Sequence, residues 1–120
     1  MGRYTQKKRN RLHSIHNYLK SKFVTPFPTR LIVIDPKDKK ISEKIMGTSS
    51  RVKGSIYITI DGNLEYSRAA EVLAHEYSHA MTWTFKRLES VRAHHCDEWG
   101  LAYARVYRDL WEEGGLERIE

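Results

Sequence analysis

Between residues 5 and 23, apolar side chains recur at spacings of three and four: Leu12, Ile15, Leu19 and Phe23, with basic residues between them. That period predicts an amphipathic helix. Pro26 and Pro28 end it and begin an extended segment. Leu31 to Ile34 is a short β-branched run closed by Asp35-Pro36 and reads as a buried strand. Asp38 to Glu43 is charged and reads as a loop. Met46 to Ser49 is a weak strand. Ser55 to Ile60 is a strong one, because Ile56, Ile58 and Ile60 alternate with Ser55, Tyr57 and Thr59 and so share one face. The short link at Ser50 to Lys53 predicts an antiparallel hairpin. Asp61-Gly62-Asn63 supplies turn chemistry.

A second helix is expected over residues 66 to 86. Ser67 is its expected N-cap, Glu71 lies in its first turn, and Ala69 to Ala74 is a strong helix-forming run. A third is expected over 97 to 113, capped by Asp97 or Cys96 and stopped by Gly114-Gly115. Its apolar stripe is Trp99, Ala102, Tyr103, Val106, Leu110 and Trp111. The order helix, strand, strand, strand, helix, helix predicts an α+β fold. A small three-stranded, mainly antiparallel sheet would carry three helices on one face. With 120 residues, about 40% of them apolar, the chain suits a single domain over residues 1 to 120.

Charge adds an asymmetry. Lys plus Arg is 21 and Asp plus Glu is 15, a formal net charge of +6. Arg3, Lys7, Lys8, Arg9, Arg11, Lys20 and Lys22 crowd the first helix, and no acid precedes Asp35. This is either a solvated helix face or a contact for nucleic acid or an acidic partner, centred on Lys7, Lys8, Arg9 and Arg11. Cys96 is the single cysteine, so no internal disulfide can form. No apolar run matches a membrane span, and the basic start is not followed by a signal-peptide core. A cytoplasmic protein without a membrane partner is the expectation.

The chemistry concentrates in His75-Glu76-Tyr77-Ser78-His79, an H-E-x-x-H on the second predicted helix. Residues four apart lie one turn apart on one face, so two imidazoles can reach one ion. A carboxylate next to the first histidine can reach water at that ion without binding it. A catalytic zinc site needs a third protein ligand and an open position. His94 and His95 are the nearest imidazoles, His95 following His79 by sixteen residues, with Asp97, Glu98 and Cys96 as rivals. The pattern alone does not choose between the two histidines. His13 and His16 are expected at exposed helix positions. Trp83, Trp99, Trp111, Tyr103 and Tyr107 read as core, with Tyr103 and Tyr107 also placed to bond an oxyanion.

The chain resembles the SprT-like zinc metallopeptidases, which include the Spartan proteases. In that family the H-E-x-x-H helix is followed, about a dozen and a half residues on, by a third histidine in a segment such as H-G-x-E-F or H-G-x-x-W. Here that segment is His95-Cys96-Asp97-Glu98-Trp99, with Cys96 in place of the usual glycine. An Ile-rich hairpin before the metal helix is shared as well. The resemblance covers roughly residues 10 to 112 and is similar to the minimal form associated with phage and bacteria. It implies a zincin-like core and one zinc ion per chain held by His75, His79 and His95, with Glu76 as general base. His94 and Asp97 are the alternative ligands.

A zinc endopeptidase acting on protein or peptide is therefore the expected function, with an extended substrate pairing along the edge of the Ile56 to Ile60 strand. One alternative is a nucleic-acid-binding or virion-associated module whose structural zinc is closed by four ligands, for example His75, His79, His95 and Cys96. Another is a small metal-dependent nuclease, although the minimal bacterial endoribonucleases have glycine where Glu76 stands. Peptide deformylases take a ligand from an upstream cysteine, and Cys96 lies downstream.

Overall fold

The computed structural model describes residues 5–35, 46–83 and 97–119. The charged stretch expected to form a loop at 38–43, and residues 84–96 with His94, His95 and Cys96, lie outside them.

Helix α1 spans Gln6–Lys22. Thr5 caps it by accepting from the Lys8 amide at 3.1 Å. It buries Leu12, Ile15, His16 and Leu19, and the chain leaves it at Phe23 in extended conformation. Three strands follow: β1 Thr29–Ile34, β2 Gly47–Val52 and β3 Ser55–Asp61. They form one sheet in the order β1-β3-β2. β2 and β3 form the antiparallel hairpin that the short link predicts. β1, however, runs parallel to β3, so the sheet is mixed where a mainly antiparallel one was expected.

Apolar patterning explains the pairing. The inner positions of β1 place Leu31 beside Ile58 and Val33 beside Ile60. The positions of β2 opposite Ile60, Ile58 and Ile56 are Gly47, Ser49 and Arg51. The most apolar strand therefore takes the centre with its apolar neighbour on one side, and the polar strand is left at the edge. The outer face of the sheet is more open, with Ile32 45% exposed.

Helix α2 spans Tyr66–Met81. It buries Ala69, Ala70, Leu73, Ala74, Tyr77 and Ala80, and packs on β2 and β3. Ser67 is not its cap: Glu65 holds that position, and its side chain makes no capping bond. The helix also ends five residues earlier than expected. The Thr82 hydroxyl bonds back to the Ser78 and His79 carbonyls at 3.1 and 3.4 Å, competing with the helical ladder where it stops.

Helix α3 spans Asp97–Tyr107 and packs on α2. It passes into a π-helical turn at Arg108–Glu112 instead of continuing regularly to 113. That turn carries the buried Asp109 toward α1, where it accepts from the Tyr18 hydroxyl at 2.6 Å and pairs with Lys22 at 3.7 Å. Gly114 then takes a φ of +78°, which favours glycine. The chain does not stop there but adds helix α4, Gly115–Ile119. Gly115 is required by close approach, since a Cβ there would lie 2.5 Å from Asp109 Oδ1. The fold is thus α+β, with a three-stranded mixed sheet and four α-helices among the described residues, one more than expected.

Two of the buried polar groups join separate elements through the core. The Tyr77 hydroxyl donates to the Phe23 carbonyl at 2.7 Å and lies 3.3 Å from that of Leu19, tying α2 to the end of α1. Burial pushes its pKa up to about 12. His16, expected at the surface, is buried and bonds Thr29 Oγ1 at 2.8 Å. Burial, with the Lys20 and His13 charges adding to it, pushes its pKa down to about 4.

Two outcomes are expected. Tyr77→Phe should lower the urea unfolding free energy by about 1–2 kcal/mol, since it removes a buried donor from carbonyls that lose water on folding. An unchanged midpoint would refute the anchoring role. For His16, the folded-state pKa lies below the ordinary 6.5, so unfolding takes up a proton in acid. Stability should be full above about pH 6.5 and decline as pH falls through about 4, and His16→Gln should flatten that decline in thermal scans across the interval.

Candidate metal centre

Because α2 turns its alanines, Leu73 and Tyr77 to the core, its other side carries His75 and His79, one turn apart and half-buried. Their ring centroids are 4.9 Å apart with planes at 71°. Glu76 lies beside them, its Oε2 4.0 Å from His75 Nε2. The Glu76 side chain is 11% exposed and that of His75 35%, so the carboxylate is the deeper group. Ser78, between the histidines, turns inward and bonds the Ala74 carbonyl at 2.8 Å.

Helix α3 supplies a support that the sequence reading assigned to the core. The Trp99 ring stands 5.0 Å from that of His75 and 5.4 Å from that of His79. Its Nε1 donates to the His75 carbonyl at 3.4 Å. Tyr103 stacks on Trp99 at 5.1 Å, within 6° of parallel, and lies 6.4 Å from His75. Burial raises the Tyr103 pKa, with Glu71 and Tyr107 adding to it, so the phenol stays protonated. Trp99 is the aromatic of the His95 to Trp99 segment on which the sequence resemblance rests, and so was legible as a position of interest. Its contact with both imidazoles was not.

A cleft of about 540 Å³ opens at this point, lined by Met46, Gly47, Thr48, Arg68, Glu71, Val72, His75 and Glu76. One wall is the start of β2 and the other is α2. Gly47 sets their separation: a Cβ there would stand 2.5 Å from Val72 Cγ1 and 3.1 Å from the Thr59 carbonyl oxygen. The substrate edge expected on the Ile56 to Ile60 strand is not available, because β3 is hydrogen-bonded on both sides. Among the described residues β2, like β1, is an edge strand, and its first residues stand on the cleft.

Two imidazoles one turn apart with an adjoining carboxylate fit a borderline-soft divalent ion such as zinc. Among the described residues, no three His, Cys, Asp or Glu side chains form a group able to hold a metal ion. Asp97 and Glu98 are exposed in the first turn of α3. His94 and His95, the candidate third ligands, lie outside the described residues.

The basic residues of α1 divide. Lys8 Nζ donates to the Gly62 and Leu64 carbonyls at 3.2 and 2.5 Å, and burial lowers its pKa. The Arg11 guanidinium lies 3.7 Å from the Tyr66 ring centroid. Both hold the turn that leads into α2, so part of the expected nucleic-acid contact is committed to the fold. Lys7 is exposed and Arg9 half-buried. No described helix is long and apolar enough to cross a membrane.

No protein-family model, curated protein or solved structure matches the chain.

If His75 and His79 hold zinc, protein purified without chelator should carry about one ion per chain. His75→Ala and His79→Ala should each abolish it by elemental mass spectrometry. Trp99→Ala should retain the ion but release it to a competing chelator about tenfold more readily, the loss typical of a group that orients ligands. Equal retention by wild type and the Trp99 variant would remove the support role.

Proposed function

We propose that the chain is a zinc-dependent metallopeptidase with a zincin-like core. His75, His79 and His95 would hold the ion, and Glu76 would serve as general base. The observation that carries this reading is the placement of Glu76. It is a buried carboxylate beside two imidazoles of one helix face, at the wall of a cleft that also borders an edge strand.

When bound, zinc supplies Lewis acidity, polarising a carbonyl and making water a stronger acid. The chain's own residues do the rest. Trp99 and Tyr103 limit the ways in which the His75 and His79 rings can turn. Glu76 takes a proton from the water that attacks the peptide carbonyl. It then gives that proton to the nitrogen of the breaking C–N bond, which leaves as an amine. An extended peptide lying beside Met46 to Thr48 can use the backbone groups of the edge strand, which bind with little sequence preference.

The test is cleavage of casein, with RNA as a parallel substrate. Wild-type zinc protein should cut casein and leave RNA intact. Glu76→Gln should keep its zinc and lose about 10²–10⁴-fold in rate, the range for a positioned general base. Full peptidase activity in Glu76→Gln ends this mechanism, and RNA cleavage in place of casein cleavage favours the nuclease alternative.

A further inference from the structure

The cleft has chemistry beyond the reacting end. Arg68, Val72, His75 and His79 recur at spacings of four, three and four, and so lie along one face of α2. Moving from His75 toward the start of the helix, the floor is first apolar, at Val72, with Gly47 above it lacking a side chain. It then becomes charged, at Glu71 and Arg68. Arg68 is the one Lys or Arg among the described cleft-lining residues.

We propose that Arg68 reads an acidic side chain of the substrate, about three residues from the bond that is cut. The inference rests on the peptidase reading and names the substrate class of that site. Distance sets the position. Seven helical residues span about 10.5 Å at 1.5 Å each, and three residues of an extended peptide span about 10 Å at 3.3 Å each.

The state of Arg68 suits an exchange of partners. Its Nη1 stands 3.9 Å from Glu71 Oε2, beyond hydrogen-bond length, and the two side chains are 57% and 50% exposed. A solvated pair of this kind is weak. A substrate carboxylate can accept two parallel N–H bonds from the guanidinium, which the Glu71 contact does not provide. The acidic side chain would thus displace Glu71 at little cost, while Val72 and Met46 border an apolar residue nearer the reacting end. The net charge of +6 acts in the same direction, favouring the approach of an acidic chain.

Zinc-loaded full-length wild type, Arg68→Ala, Arg68→Glu and Glu71→Gln would be given a mixture of unstructured peptides, and the cut sites read by mass spectrometry. In parallel, a fluorescein-labelled decapeptide rich in Asp and Glu, and its Asn/Gln counterpart, would be titrated into Glu76→Gln protein and followed by anisotropy. Wild-type cut sites should be enriched in Asp or Glu at one position about three residues from the bond. Arg68→Ala should lower kcat/KM on such peptides about fivefold to tenfold, mainly through KM, as expected for loss of a charge-assisted contact. Arg68→Glu should turn the preference toward Lys and Arg. Glu71→Gln should keep or sharpen the acidic preference. Continued cleavage with a profile unmoved by Arg68→Glu overturns the inference and leaves the peptidase reading standing. Absence of cleavage by wild type, with Arg68-dependent binding of the acidic decapeptide, sinks the peptidase reading and retains Arg68 as the acid-binding group. A preference for basic residues that Glu71→Gln abolishes also overturns the inference.

Discussion

The rotation of one helix about its own axis decides what this molecule can do, and a single buried hydroxyl helps to hold it. Tyr77 lies between Glu76 and Ser78, and its donation to the Phe23 carbonyl joins the middle of α2 to the end of α1. With that side inward, Ala69, Leu73 and Ala80 meet the core that includes Ile56, Ile58 and Ile60. Adjacent helix residues point about 100° apart, so a shift of one position would bury histidines and expose leucine. The cost of burying those polar rings without partners opposes such a shift.

The remaining elements brace that helix. Lys8 and Arg11 fasten the turn that precedes it. Trp99 presses on its imidazole face from α3. The far end of α3 is itself secured: the π-helical turn brings Asp109 to Tyr18 and Lys22, and Arg118 of α4 donates to the Tyr18 hydroxyl at 3.2 Å. A π turn inserts an extra residue, and here it turns inward a carboxylate that would otherwise follow the regular spiral. The aromatic series Trp99, Tyr103, Tyr107 and Trp111 links the two ends ring by ring, at centroid separations of 5.1, 6.1 and 5.0 Å.

What the sequence made legible was local. The three-and-four spacing of Leu12, Ile15 and Leu19 places α1 to within a residue, and the alternation from Ile56 to Ile60 places β3. H-E-x-x-H puts both imidazoles on one face because helix geometry alone does that. The misses are tertiary. Whether β1 joins the sheet parallel depends on which strand can offer β3 an apolar neighbour. His16 reads as a polar position on a basic helix, yet Thr29, thirteen residues on, supplies the bond that lets it be buried. The end of α2 turns on whether Thr82 bonds back into the helix. The π turn depends on Tyr18, ninety-one residues before Asp109. Trp99 has the spacing of a core residue, and only the arrangement of α3 against α2 turns it toward the histidines.

At Gly47 the backbone of a strand rests on the Val72 side chain of a helix, and the nearest atoms leave no room for a methyl group. The distance between the two cleft walls is therefore set by a residue that has no smaller replacement and no tolerated larger one. A relative with a reshaped cleft would have little freedom on the strand side at that point. Variation in what the cleft admits would fall to the exposed helix positions 68 and 71, where side chains can change length and sign without disturbing the wall opposite.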